Sequence, residues 1–170
     1  MYICLIEGGI PDCFGNCASL RELQLNNNQI TGPIPRSLLH CINLQFIWLE
    51  HNTLSGTIPD FGNHCTKLVE LSLHHNTLTG EIPASLFRCV NLSHLLLQNN
   101  HLSGYLPHGI VVLANLRQFR VSGNELADKE LSIRQARAAF MAIKLHLEVR
   151  VASTKKLGIG HGAEKSPKLD

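Results

Sequence analysis

Residues 68–83 read LVELSLHHNTLTGEIP, and the same pattern, LxxLxLxxNxLxGxIP, returns every 24 residues along the chain. The leucines that open its five copies are Leu20, Leu44, Leu68, Leu92 and Leu116. The Asn, Gly and Pro positions keep the same register, and the pattern weakens after Leu126. A constant period of this length predicts a solenoid in which each repeat forms one coil and packs on its neighbours.

The apolar and turn positions of the repeat predict the backbone path of each coil. In LxxLxL the final residues alternate, so a short strand points Leu23 and Leu25 inward and Gln24 outward. Stacked coils therefore form a parallel sheet whose outward side we call the concave face. The Asn after each strand can hydrogen-bond backbone groups inside the turn. The Gly further along permits a positive φ, and the Pro removes a backbone donor.

Four cysteines share one position of the repeat, namely Cys17, Cys41, Cys65 and Cys89, and Leu113 occupies that position in the fifth copy. The apolar replacement predicts that this position lies in the core, where cysteine behaves as a small buried hydrophobe. Parallel side chains one strand spacing apart suit disulfide geometry poorly. Because the Cys/His spacings of zinc sites are also absent, the cysteine count does not establish an oxidising compartment.

The outward strand positions are free of the repeat pattern, so we expect the functional residues there. Phe46 and Trp48 share the outward face of one strand, and Leu96 lies two coils further along in the Trp48 column. Exposed aromatic residues that the scaffold does not require are typical anchors for a peptide or protein partner. Scattered apolar surface residues are the alternative. The complete candidate surface is Phe46, Trp48, Glu50, His51, Glu70, His74, His75, His94, Leu96 and Arg120.

Histidines cluster on the same face. The expected neighbours are the pairs His51–His75, His74–Glu50 and His94–Glu70. Imidazoles this close titrate as coupled groups at mildly acidic pH, so one hypothesis is that partner binding depends on pH; solvated polar residues are the alternative. A zinc site needs further ligands aimed at one point, which the parallel side chains of a sheet do not readily supply. We therefore expect neither a metal nor a cofactor.

The two ends of the chain depart from the repeat. We assign residues 1–126 to the solenoid, with a partial repeat over 1–19. Met1 falls in mid-repeat without a preceding secretion signal, and no apolar run is long enough to span a bilayer. This phase favours a fragment over a complete small protein.

Residues 127–151 are interpreted as a degenerate sixth repeat or C-terminal cap. Within them the apolar spacing predicts a helix, and the alternation of IKLHLEVRV predicts a terminal strand; one long amphipathic helix is the alternative. Residues 152–170 are rich in Lys, Gly, Ser and Pro, so we expect a disordered tail.

Charge and motifs limit the function classes. The formal net charge is +2 at pH 7, too small to indicate nucleic acid or an anionic membrane as a partner. The GIGHG stretch at 158–162 lacks the GKS or GKT ending of a phosphate loop, and the set of kinase motifs is absent. The histidine and glutamate neighbours have no nucleophile or oxyanion donor beside them. We therefore expect no enzymatic activity.

The segments NNNQITGPIP, HNTLSGTIPD, HNTLTGEIPASL and NNHLSGYLP resemble the plant-specific leucine-rich repeat, over about residues 4 to 126. The resemblance implies an α/β leucine-rich repeat solenoid with a second, lateral strand in LxGxIP and a mostly 3-10 or irregular convex side. It also implies the ectodomain of a plant receptor-like kinase or receptor-like protein, which binds peptides, steroids or co-receptors at the cell surface. The paired-cysteine caps, signal peptide, transmembrane helix and kinase domain of those families are not in this sequence.

The leading hypothesis is therefore a noncatalytic module that binds a peptide or protein, with a co-receptor as a second kind of partner and no membrane insertion of its own. A secreted inhibitor of a cell-wall hydrolase is one alternative, because polygalacturonase-inhibiting proteins share this repeat. A nonfunctional product of a truncated receptor kinase gene is the other. The sequon Asn91-Leu92-Ser93 makes Asn91 a candidate for glycosylation.

Overall fold

The computed structural model describes residues 5–107, 109–110 and 113–127. The helix and strand expected within 127–151, and the tail expected over 152–170, lie outside the described residues, apart from residue 127. The same is true of the first four residues of the partial repeat.

The described residues fold into a solenoid of short parallel strands. In chain order the strands are β1 (Glu7–Gly9), β2 (Glu22–Gln24), β3 (Gln29–Pro33), β4 (Phe46–Trp48), β5 (Thr53–Ser55), β6 (Glu70–Ser72), β7 (Thr79–Glu81), β8 (His94–Leu96), β9 (His101–Ser103) and β10 (Gln118–Arg120). The concave sheet has the order β10-β8-β6-β4-β2, and two lateral sheets have the orders β1-β3-β5 and β7-β9. The parallel concave sheet and the lateral strand are therefore confirmed.

The opposite side of each coil carries short 3-10 helices, as expected for the convex side. They span Phe14–Asn16, Arg36–His40, Phe61–Asn63 and Ala84–Arg88. The helix Phe61–Asn63 packs so closely on the next coil that a Cβ at Gly62 would overlap the Ser85 carbonyl group. Within the described residues, no helix is long and apolar enough to cross a membrane.

The interior of the solenoid is built from the repeating apolar positions. Leu44, Leu68, Leu92 and Leu116 are all 0% exposed, and so is Leu113 at the fifth cysteine position. The burial predicted for the cysteine column is confirmed, because Cys41, Cys65 and Cys89 are also 0% exposed, with Cys17 partly buried beside the core. All four carry free thiols.

Each buried thiol donates a weak hydrogen bond to a carbonyl oxygen of the preceding coil, and the Cys41 thiol donates to that of Phe14 at 3.7 Å. The Cys65 thiol donates to the Cys41 carbonyl oxygen at 3.6 Å, and the Cys89 thiol donates to the Cys65 carbonyl oxygen at 3.5 Å. Burial raises the pKa of Cys65 to about 12 and that of Cys89 to about 11. The column is therefore a chain of weak hydrogen bonds between coils, made by protonated thiols.

The predicted asparagine ladder is confirmed. At its centre, the Oδ1 atom of Asn76 accepts from the Leu54 amide at 2.9 Å. Its Nδ2 atom donates to the carbonyl oxygens of Leu49 and Leu73, both at 3.0 Å. Asn52, Asn100 and Asn124 repeat this arrangement in their own coils. Each asparagine side chain thus supplies hydrogen-bond partners to backbone groups that have no backbone partner in the turn.

Candidate binding surface on the concave face

The concave face carries two aromatic side chains on β4, the strand next to the edge strand β2. Phe46 and Trp48 point to the same side, with ring centroids 5.3 Å apart and an angle of 19° between the planes. The sequence predicted exposed rings, but both are half-buried because they lie against each other and the sheet. They keep one side in water while losing part of their rotational freedom, which suits a preformed contact surface.

The Trp48 column continues across the sheet in register. Trp48 pairs with Ser72, Ser72 pairs with Leu96, and Leu96 pairs with Arg120. Ser72 is only 2% exposed, since a small side chain in this column lies below the level of its larger neighbours. Trp48 and Leu96 therefore lie on the two sides of a covered Ser72, two strand spacings or roughly 10 Å apart.

Three histidines pack together beside the Trp48 column. The rings of His51 and His75 stack with centroids 4.4 Å apart, so their predicted proximity is confirmed. His74 meets both rings edge-on, with centroids 5.2 Å from His51 and 5.4 Å from His75. The Nδ1 atom of His74 is hydrogen-bonded to the Ser72 hydroxyl at 2.9 Å, which links the cluster to the Trp48 column.

Two of the three histidines occupy special backbone positions. Asn27, His51, His75 and Asn99 all have positive φ, between 54° and 58°, and Gly123 continues the column at 69°. Among residues other than glycine, Asn, Asp and His enter this left-handed region most often. The prediction that this column is free to vary is wrong, because the backbone restricts it.

The third histidine is held neutral. Burial, followed by repulsion from His51, His75 and Arg120, lowers the pKa of His74 from 6.5 to about 4. The expected titration at mildly acidic pH is therefore wrong for His74. His74 does lie beside Glu50, as expected, because each follows by two residues the paired positions Ser72 and Trp48. The two side chains form no ion pair, since among the described residues the one ion pair is His101–Glu125 on the lateral side.

Glutamate side chains lie beside the aromatic pair. The register places Glu22 and Glu70 on either side of Phe46. Glu50 follows Trp48 by two residues, and its Oε2 atom is buried with no hydrogen-bond partner in the described part of the chain. Glu70 is also in register with His94, as expected, although the His94 Nδ1 atom is hydrogen-bonded to the Ser93 hydroxyl at 2.8 Å. The described residues contain no group of three or more His, Cys, Asp or Glu arranged to hold a metal ion.

Comparison with known families agrees with this architecture. One leucine rich repeat profile matches residues 66–126, and another matches 19–41 and 43–65. Together they cover more than half of the chain. The chain belongs to the leucine-rich repeat family.

Solved leucine-rich repeat structures share its fold. The BIR2 ectodomain from Arabidopsis thaliana is 40% identical with a TM-score of 0.60, and the alignment covers 62% of this chain and 55% of that one. The Arabidopsis receptor kinase HAESA, solved with the peptide hormone IDA and the co-receptor SERK1, is 32% identical with a TM-score of 0.68, covering 72% of this chain and 20% of that one. A plant ice-binding protein is 31% identical with a TM-score of 0.66, covering 72% and 42%.

The chain thus spans about half the length of the BIR2 ectodomain and less of the other two. A search of curated proteins gave no significant match. The similarity places the chain beside the ectodomains of plant receptor kinases, while the ice-binding protein demonstrates that the same repeat also serves other functions.

Among the described residues, five large apolar side chains outside the predicted surface are exposed, two of them, Leu5 and Ile6, in the first coil of this leucine-rich repeat. Ile42 and Val90 are 54% and 57% exposed, two repeats apart in the position that follows the buried cysteine. Tyr105 is 67% exposed on the lateral side. Their positions in the repeat carried the signal, because the same columns hold polar residues elsewhere, such as Thr66 and Glu81. The glycosylation candidate Asn91 is exposed, next to Val90.

Proposed function

We propose that this chain is a noncatalytic binding module that recognises a peptide or protein through its concave face, centred on Phe46 and Trp48. The observation that best supports this proposal is the stacked, half-buried aromatic pair on β4. The scaffold does not require an aromatic residue there, since Gln24 and Ser72 occupy the neighbouring positions of the Trp48 column. A large, rigid and partly exposed ring is the residue type that dominates binding energy at protein interfaces.

The neighbouring structures support this proposal. HAESA was solved with a peptide hormone and a co-receptor, so a related leucine-rich repeat domain binds both kinds of partner. By analogy we propose a location at the cell surface and a peptide ligand, with a co-receptor as a second partner. A shared fold does not by itself establish a shared function, so the location and the partners are part of the proposal.

The proposal is tested by selecting peptides from a displayed random library on the full chain and measuring their affinity for variants. Trp48→Ala should weaken the selected peptides by about tenfold or more, the loss expected for a central aromatic anchor. Tyr105→Ala is the matched control, because it removes a more exposed aromatic residue from the lateral side. It should change affinity by less than about twofold.

Two results would contradict the proposal. Peptides that bind Trp48→Ala as tightly as the unmodified chain would remove the aromatic pair from the binding surface. Loss of binding in Tyr105→Ala alone would place the surface on the lateral side. Circular dichroism melting of each variant separates a lost contact from a lost fold.

A protein at the cell surface passes through the secretory pathway, so we also propose that Asn91 carries a glycan. Asn43 and Asn115 hold the same position in their repeats, and their amides donate to the carbonyl oxygens of Ala18 and Val90. Asn91 is exposed and its side chain makes no hydrogen bond within the described residues. Secreted expression in plant cells should add a glycan mass that Asn91→Gln removes, and an unmodified secreted chain would contradict the assignment.

A further inference from the structure

The aromatic pair on β4 lies in a negatively charged part of the concave face. Glu22 and Glu70 stand one strand away from Phe46 on its two sides, at a spacing of about 4.8 Å. Glu50 lies next along the outward side of β4, after Trp48. Three carboxylates therefore border two stacked rings, whose faces carry the negative end of the aromatic quadrupole.

None of these three carboxylates forms an ion pair with a Lys, Arg or His side chain in the described part of the chain. The one ion pair there, His101–Glu125, is on the lateral side. Lys67 is hydrogen-bonded to Asn43 at 2.6 Å, away from β4. Arg21 precedes Glu22 on its strand. The backbone of Arg120 lies three strands from that of Trp48, roughly 14 Å away, although its charge still acts on His74. The surface around the rings thus keeps an excess of negative charge.

Glu50 adds an independent observation. Its Oε2 atom is already removed from water and has no hydrogen-bond donor within the described residues. A buried carboxylate oxygen without a donor is unfavourable by the cost of its lost hydration. Because this atom is closed to solvent, a ligand donor reaches it only when the Glu50 side chain rotates outward, and the new hydrogen bond then offsets the cost.

From this arrangement we propose that the Phe46–Trp48 pair, bordered by Glu22, Glu50 and Glu70, receives an arginine side chain of the partner peptide. A planar guanidinium stacks on an aromatic face and donates to carboxylates at the ring edge in the same pose, which an ammonium group does less well. This inference deepens the proposed function and depends on it.

The single tryptophan of the chain makes the test direct, because Trp48 is the only source of indole fluorescence. The probes are two peptides of sequence Gly-Ser-Xaa-Gly-Ser, in which Xaa is arginine or its neutral isostere citrulline. The arginine peptide should change Trp48 fluorescence in a saturable way, at a concentration about tenfold lower than the citrulline peptide requires. Added salt should weaken the arginine peptide selectively.

Variants of the full chain locate the contact. Glu22→Gln combined with Glu70→Gln should weaken the arginine peptide by about tenfold and leave the citrulline peptide unchanged. Glu81→Gln removes an exposed carboxylate from the lateral strand β7 and should have no effect. Melting curves confirm that the variants are folded.

Equal responses to the arginine and citrulline peptides would overturn the inference, as would an arginine response that survives the double Glu→Gln change. Either result leaves the proposed function intact if library peptides still depend on Trp48. If library peptides are insensitive to Trp48→Ala, the proposed function fails as well, so the two failures are distinguishable.

Discussion

Replacing Asn76 by Ala tests how strongly the asparagine ladder holds the coils together. The change leaves the Leu54 amide without its partner and removes one of the two asparagine donors from the carbonyl groups of Leu49 and Leu73. These carbonyl oxygens still accept from Asn52 and Asn100. Asn76 is 8% exposed, so water reaches these groups poorly. The unpaired Leu54 amide costs about 1 to 3 kcal/mol and each of the two other lost hydrogen bonds about 0.5 to 1.5 kcal/mol, while partial hydration of the new space reduces the sum. We expect the free energy of unfolding to fall by about 2 to 4 kcal/mol.

Asn28→Ala is the matched control for this measurement. Its amide makes the same kind of bonds, to the Ile6 amide at 2.9 Å and the Leu25 carbonyl oxygen at 3.0 Å. Asn28 is only half-buried and the Ile6 bond is exposed, so water replaces the lost side chain and we expect a loss of about 1 kcal/mol. Urea unfolding followed by circular dichroism gives both values. Equal losses at the two positions would refute the reasoning, because burial would then not set the cost.

Three further predictions concern packing, protonation and thiol chemistry. Gly62→Ala brings a Cβ within 2.6 Å of the Leu86 backbone nitrogen in the next coil, so the free energy of unfolding measured in urea should fall by about 1 to 3 kcal/mol. Gly15→Ala is the control: a Cβ there meets nothing within 4 Å, and the free energy of unfolding should not change. Because the pKa of His74 is lowered to about 4 in the fold, the unfolded chain binds more protons between pH 6.5 and 4. The free energy of unfolding should therefore fall as the pH decreases through that range, and it should fall less steeply in His74→Gln. Parallel curves of this free energy against pH for the two proteins would contradict the prediction. The exposed thiol of Cys13 should react with a disulfide reagent in the folded protein, while Cys65 should react only after unfolding, as read by mass spectrometry of the labelled peptides.

The scaffold was predictable because each of its requirements falls at a constant place in the repeat. Asn76 and Cys65 are examples: the side chain needed by one coil is needed again in the next, so period and chemistry identify the role together. The helix and strand expected near the C-terminal end rest on periodicity without this repetition, and they stay predictions.

The surface was less predictable, since its properties arise between coils rather than within one repeat. The half-burial of Trp48 depends on its contact with Phe46, and the low exposure of Ser72 depends on the size of its neighbours in the column. The missing partner of Glu50 likewise follows from side-chain positions in adjacent coils. A column read from the sequence gives the order of side chains along the face but not their height above the sheet.

The backbone geometry changes what the histidine cluster means. His51 and His75 lie at positive φ, where histidine is one of the few residues other than glycine that is readily tolerated, so their identity has a structural reason before any function is considered. His74 is not among the described residues with positive φ, yet it is half-buried, neutral and bonded to Ser72 beside Trp48. Its identity therefore has no backbone explanation. Of the three histidines, His74 is the one whose replacement tests the binding surface rather than the turn, and together with the aromatic pair it defines where a partner is to be sought.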